Sequence, residues 1–232
     1  MKINIITIIS IILSTITFGQ SGKVLYNVVV TRNTDNIDPS IKSKFLKMVE
    51  FANKQQFELS FNKNKSSFKL KNNMISTEQK EDYLEKVSRL AFTSNSQIFI
   101  DKSKKIVLND DSEGMLFTET FDTEKWQILN DTRKIDNYDC YKAIFKEEFL
   151  TRGGEKTSRE IVAWFTPSLP YSYGPKKFYG LPGLILELTE KDTTYLATKI
   201  ELSENELLIS FPKGKTITKE EYNKKLKAQM GM

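Results

Sequence analysis

Gly180-Leu181-Pro182-Gly183-Leu184-Ile185, preceded by Gly174-Pro175 and followed by Leu186-Glu187-Leu188, is the stretch on which the reading of this chain turns. Leu181-Pro182-Gly183-Leu184 has the residues of a type II turn. Proline presets φ near −65° at its second position, and glycine accepts a positive φ at the third. Leu184 to Leu188 is a short, branched, apolar run of the kind that forms a buried strand. Gly180 and Gly183 also let a second backbone come close. The stretch thus predicts a rigid corner that launches a core strand, with a ligand-facing loop as the other reading.

Working outward, Thr166 to Gly183 forms a connection of about 18 residues, far longer than the usual 4 to 6. It carries Leu169, Tyr171, Tyr173, Phe178 and Tyr179, is stiffened by Pro167, Pro170 and Pro175, and has Trp164 at its entrance. So many rings argue against disorder. Two readings follow. Either the rings cap the open end of a sheet, or they line an apolar pocket or groove. On the second, the binding residues are Trp164, Leu169, Tyr171, Tyr173, Phe178, Tyr179, Gly180, Leu181, Pro182 and Gly183. Proline-fixed rings lose little freedom when they bind.

The rest of the chain reads as repeated hairpins. Val24, Tyr26, Val28 and Val30 share one parity and mark a first strand over Lys23 to Val30. Ile41, Phe45, Met48, Val49 and Ala52 fall on one helical face. Gln56 to Asn62 and Ser66 to Lys71 flank a turn at Lys63-Asn64, with Lys63, Lys65, Lys69 and Lys71 as the wet side of that hairpin. Thr77 to Ala91 suits either a helix or a loop. Strands are expected over 97–101, 105–109, 115–121, 126–129, 138–150, 157–165, 184–189 and 193–202, with turns at Arg152-Gly153-Gly154 and Lys191-Asp192. Thr218 and Glu221 form a capping box that opens a C-terminal helix. Hairpins without alternating helices argue against a parallel sheet. The expected fold is mainly β (α+β): one large curved antiparallel sheet, half-barrel or barrel-like, with one or two helices packed on it and a short C-terminal helix. A half-barrel wrapped around a helix, as in the periplasmic lipoprotein carriers, is the fold-level analogy.

Lys2 followed by the apolar run Ile3 to Ile16, with Thr17-Phe18-Gly19 before Gln20, has the form of a signal peptide over residues 1–19. Residues 20–232 then make a single β-rich domain of about 213 residues, long enough for one sizeable core. The expected location is outside the cytoplasm: periplasm, outer surface or secreted. No later run is apolar enough to span a membrane. The net charge is +5 with both signs interspersed and no arginine cluster, so nucleic acid is not an expected partner. The single cysteine, Cys140, sits in an aromatic strand and is expected to be buried.

The chain contains no histidine. Ser-His-Asp and Cys-His catalysis are therefore excluded, as are the usual zinc and copper sites. No phosphate-cradling or dinucleotide glycine motif is present, and no cofactor is expected. Asp110, Asp111 and Glu113 read as a polar turn rather than a calcium loop. Glu147-Glu148, Glu160 and Glu187 lie on expected strands, and Glu147 with Glu187 is the pair that a carboxylate hydrolase would use.

Gly180 to Ile185, with Trp126-Gln127-Ile128, Asp131-Thr132, Tyr138 to Ala143, Ala163 to Thr166, Leu169-Pro170 and Gly174-Pro175, resembles the GLPGLI family of secreted Bacteroidetes proteins. The resemblance is strong over the second half of the chain and implies export but no activity. The expectation is a non-enzymatic envelope protein that holds an apolar small molecule or a segment of an envelope protein on its curved sheet. The alternatives are an assembly component with a filled core, and a carboxylate-based hydrolase.

Overall fold

The computed structural model describes residues 21–35, 37–71, 83–111, 114–150 and 156–229. The signal-peptide segment and the Arg152-Gly153-Gly154 turn lie outside these. Period-2 burial builds the sheet. In β1 (Ser21–Val30) every even residue from Val24 to Val30 is buried. From this strand the chain winds outward through β2 (Gln56–Phe61), β3 (Lys65–Leu70), β4 (Gln97–Asp101), β5 (Ile106–Asp110) and β6 (Leu116–Glu119). It then jumps to the opposite edge and returns inward through β7 (Trp126–Ile135), β8 (Tyr138–Leu150), β9 (Lys156–Thr166), β10 (Leu184–Glu190) and β11 (Thr193–Ser203). β11 pairs with β1, and a short β12 (Thr216–Thr218) adds to β6. The result is one 12-stranded sheet, ordered β12-β6-β5-β4-β3-β2-β1-β11-β10-β9-β8-β7. All pairs are antiparallel except β12 with β6.

The jump from β6 to β7 sets the shape. Ten strand spacings separate these two strands, about 48 Å if the sheet were flat. Their connection, Thr120 to Lys125, spans at most ~25 Å from Glu119 to Trp126. The sheet must therefore curl until its flanks converge, although it remains open. Phe121 in the connection stacks on Phe145 of β8 at 4.9 Å between ring centres, which ties the flanks together.

α1 (Pro39–Asn53) starts where the Asp38 side chain accepts from the Ser40 amide and Pro39 needs no donor partner. α2 (Tyr83–Phe92) packs on it through Phe45 and Phe92, 5.8 Å apart, and the Ser88 hydroxyl donates to the Met48 carbonyl at 2.6 Å. The helical face found in the sequence is used only in part: Phe45, Met48, Val49 and Ala52 pack, whereas Ile41 in the first turn stays 55% exposed. The sheet does not wrap around either helix. It wraps around residues 166–183. α3 (Lys219–Gln229) opens with the expected reciprocal cap, Thr218 N–H to Glu221 and Glu221 N–H to the Thr218 hydroxyl, at 3.0 and 3.2 Å.

The turn at Leu181-Pro182-Gly183 is not type II. The Gly183 amide donates to the Leu181 carbonyl at 2.8 Å, which closes an inverse γ-turn around Pro182. Among the described glycines only Gly114 and Gly180 have positive φ. Proline's fixed φ suits the tighter turn equally well, so the dipeptide alone could not separate the two. Gly183 is required for a different reason. A Cβ there would lie 2.1 Å from the Thr166 carbonyl oxygen, where the backbone entering the inserted segment meets the backbone leaving it.

Gly183→Ala is therefore expected to destabilise the fold by on the order of 3 kcal/mol, as a backbone clash without a flexible neighbour to yield. A thermal melt within 1 °C of wild type would contradict this close approach.

Candidate functional site

The inserted segment is an irregular chain held by its own backbone. Leu184 N–H donates to the Leu169 carbonyl and Ile185 N–H to the Tyr173 carbonyl, both at 2.9 Å, so the segment's two ends zip together. From β1, the buried Tyr26 hydroxyl donates to the Ile185 carbonyl at 2.6 Å.

The rings of this segment fill the interior of the curled sheet. Leu169, Tyr173, Phe178, Tyr179, Leu181 and Gly183 are buried. Phe178 and Tyr179 meet Phe121, and Phe178 also meets Trp126 and Phe145. The Trp126 indole N–H donates to the Tyr179 carbonyl at 2.9 Å. At the other end Tyr171, half-buried, and Tyr173 both lie on Phe61, at 4.8 and 5.7 Å. Gly180 and Pro182 are exposed. Trp164 does not join these rings. By register it faces the outer side of the sheet, where the Arg133 guanidinium lies 4.1 Å over it and also pairs with Glu187. Of the expected binding residues, Leu169, Tyr173, Phe178, Tyr179, Leu181 and Gly183 thus pack into the core, Tyr171 lies at its margin, and Gly180, Pro182 and Trp164 stand outside it. Each fully buried ring contributes about 2–3 kcal/mol by removal from water.

A polar seam lies beside the rings, on the inner face. The Lys177 ammonium is 3.1 Å from Glu119 on β6 and 2.9 Å from Glu147 on β8, so one side chain joins the two flanks. Arg159 on β9 grips Glu147 through two N–H groups at 2.6 and 2.7 Å, and reaches Glu190 on β10 at 3.7 Å. Lys176 pairs with Glu190, and the Asn109 amide donates to Glu119 at 3.0 Å. Three cations meet three carboxylates. Burial pushes the Glu147 carboxyl up, but Lys177 and Arg159 outweigh it and hold it below the usual carboxylate range. Burial pushes the Lys177 ammonium down, and Glu119 and Glu147 more than reverse this. These lysines were missed in the sequence. Their signal was the adjacent pair Lys176-Lys177, the only charges inside a ring-bearing segment.

The seam offers little acid–base chemistry, because each of its carboxylates is held ionised or gripped by a cation. Glu147 and Glu187 do not face a common cleft. Glu187 aligns with Trp164 and Lys142, and Glu147 aligns with Arg159, five positions further along β8 and on the opposite face. Five positions are about 17 Å, well past the separation a glycosidase pair uses. Cys140 is buried, and burial pushes its thiol up to about 11, which leaves it unreactive at neutral pH. Among the described residues no group of three or more cysteines and carboxylates could hold a metal ion. Asp110 is pushed up by burial and by Asp111, while Glu113 lies outside the described residues. No helix among the described residues is long and apolar enough to cross a membrane.

Residues 151–187 match a family described as a protein of unknown function, Porph_ging. The match takes in β9, the inserted segment and the first residues of β10. No curated protein matches the chain. Two solved structures of PNGF-II, in space groups P21 and C2, are similar to it, with TM-scores of 0.53 and 0.52 at 15% and 14% identity. Each likeness covers 89% of this chain, which spans about a third of the PNGF-II chain, 33% and 32% respectively. At that identity the likeness is one of fold.

The seam predicts an acid-labile clamp. A carboxyl whose folded pKa lies below its unfolded value near 4.3 stabilises the fold above that pH, and this stability is lost as pH falls through the folded pKa. Glu147→Gln should cost about 2 kcal/mol at pH 7, because it leaves Lys177 with Glu119 and Arg159 with the more distant Glu190 as their remaining partners. Its deficit should shrink below pH 4. A pH series of urea melts in which wild type and variant run parallel down to pH 2 would remove the clamp.

Proposed function

We propose that this chain is an exported, non-enzymatic component of the bacterial cell envelope, of the GLPGLI type, which serves assembly by contacting a partner protein along the free edge of its sheet. The observation that carries the reading is the filled interior. The 166–183 segment occupies the space in which an apolar ligand would sit, so recognition is left to the outside. The family match over residues 151–187 supports the GLPGLI assignment, since it contains the hexapeptide together with Ala163-Trp164 and Gly174-Pro175. A fold that fits into a third of a longer chain also suits a module that works beside others.

β7 is the edge in question. It is ten residues long, pairs among the described residues only with β8, and exposes seven of its residues, Gln127, Ile128 and Asn130 to Lys134. Such an edge offers unpaired N–H and C=O groups to an added strand. Its irregular register between Ile128 and Thr132 and its adjacent Arg133 and Lys134 work against indiscriminate pairing.

A photo-crosslinking residue at Thr132, compared with one at the exposed Lys44 on α1, tests this in intact envelopes. The expected result is one discrete crosslinked protein from position 132 that is absent from position 44. Identical patterns from both positions, or none from either, would rule out the edge as the contact. Binding of an apolar fluorescent probe with saturable affinity would restore the ligand-holding alternative.

A further inference from the structure

After β11 the chain crosses the outer face of the sheet as an extended strap, Glu204 to Lys215, wraps around the β6 edge as β12, and ends as α3. This C-terminal arm is attached in an unusual way. From Glu204 to Lys225 no residue is buried, and Leu208 is 96% exposed. The strap does not lie flat. Between Leu207–Ser210 and the outer side chains of β1 to β4, Lys23, Glu58, Ser60, Ser67, Lys69 and Gln97 among them, there is a polar groove of about 340 Å³.

The arm is held at its surface, with the Lys219 ammonium 4.4 Å over Phe117 and the Lys65 ammonium 5.4 Å over Phe211. Ser21 donates to the Asn205 carbonyl at 2.6 Å and Asn62 to the Leu207 carbonyl at 3.0 Å. Phe211 meets Phe99 at 5.3 Å on the outer face, and Tyr222 stacks on Phe117 at 4.0 Å on the inner face. β12 supplies three parallel ladder positions, Thr216–Thr218 against Leu116–Thr118. The sheet depends on the arm more than the arm depends on the sheet. Phe99, Leu108, Leu116 and Phe117 are all buried in the region that the arm covers. Lifting the arm would expose these four apolar residues and the whole β6 edge.

The strap also has little slack. It must pass seven strand spacings, about 34 Å, on the longer outer side of a curled sheet. Thirteen residue steps from Ser203 to Thr216 reach at most ~45 Å. A short connection with little slack that ends in an exposed element favours exchange between copies, because the same contacts can be re-made with more of the strap's reach to spare.

We propose that the arm, residues 204–229, exchanges between two copies of this chain, so that β12 and α3 of each copy dock on β6 of the other. The occupant of the β6 edge is thus a second copy's arm, and the groove beneath the strap becomes part of the junction. This does not depend on the β7 reading.

Three full-length chains test it: wild type, a shortened strap lacking Leu208 and Ile209, and a lengthened strap with Gly-Ser-Gly-Ser inserted after Leu208. Each carries Thr118→Cys and Thr218→Cys, which face one another across β6 and β12. By light scattering, the shortened chain should dimerise at a concentration at least tenfold lower than wild type, and the lengthened chain should remain monomeric. After oxidation the dimer should run as a covalent dimer on a denaturing gel. If the shortened chain does not fold, wild type alone decides at high concentration: disulfides between chains support exchange, and disulfides only within chains overturn it. Monomers throughout, or dimers whose disulfides all close within one chain, overturn it as well.

Discussion

The length of one connection governs this molecule. Six residues between β6 and β7 cannot bridge a flat sheet of this width, so the sheet has to roll. A rolled sheet of this many strands encloses more volume than its own inward side chains fill. The chain supplies the missing atoms from a single long insertion between β9 and β10. Curvature and filling are thus two sides of one requirement. The same geometry explains why Lys177 can touch Glu119 and Glu147, which stand on strands at opposite ends of the sheet order.

Ion pairing and ring packing divide the work of holding that insertion. The rings provide most of the stabilisation and little direction. The seam of Lys176, Lys177 and Arg159 with three glutamates provides direction, because a half-buried charge is tolerated only opposite its partner. An insertion without regular hydrogen bonding gains a fixed register from this. The pairs also commit Glu119, Glu147 and Glu190 to structure.

Much of the architecture was legible in the residues. Strand alternation placed β1, β2 and β3 to within two or three residues, since each buries one parity along most of its length. The residues signal only four of the ten positions of β7, because an edge strand exposed on both sides shows no alternation beyond Ile128. β12 and the crossing strap left no signal, being short, polar and defined only by what they lie on. The turn at Pro182 was assigned the wrong class, because proline followed by glycine suits both closures. The candidate site was legible as an unusual segment and illegible as to its direction. Nothing in a run of aromatic residues says whether they face a void or fill it, and only the path of the short β6–β7 connection answers that.

The central pairing of β1 with β11 joins residues as far apart as Ser21 and Ser203. Contacts this distant in sequence cannot form until nearly the whole chain is available, and loop closure of that length slows folding. A polypeptide that emerges from its amino end first would present the β1–β6 meander with one bare flank, its apolar parity uncovered, until β11 arrives. Such an intermediate is prone to aggregate. The sheet order thus places the closing step of maturation at the moment when β11, in the last fifth of the protein, is delivered.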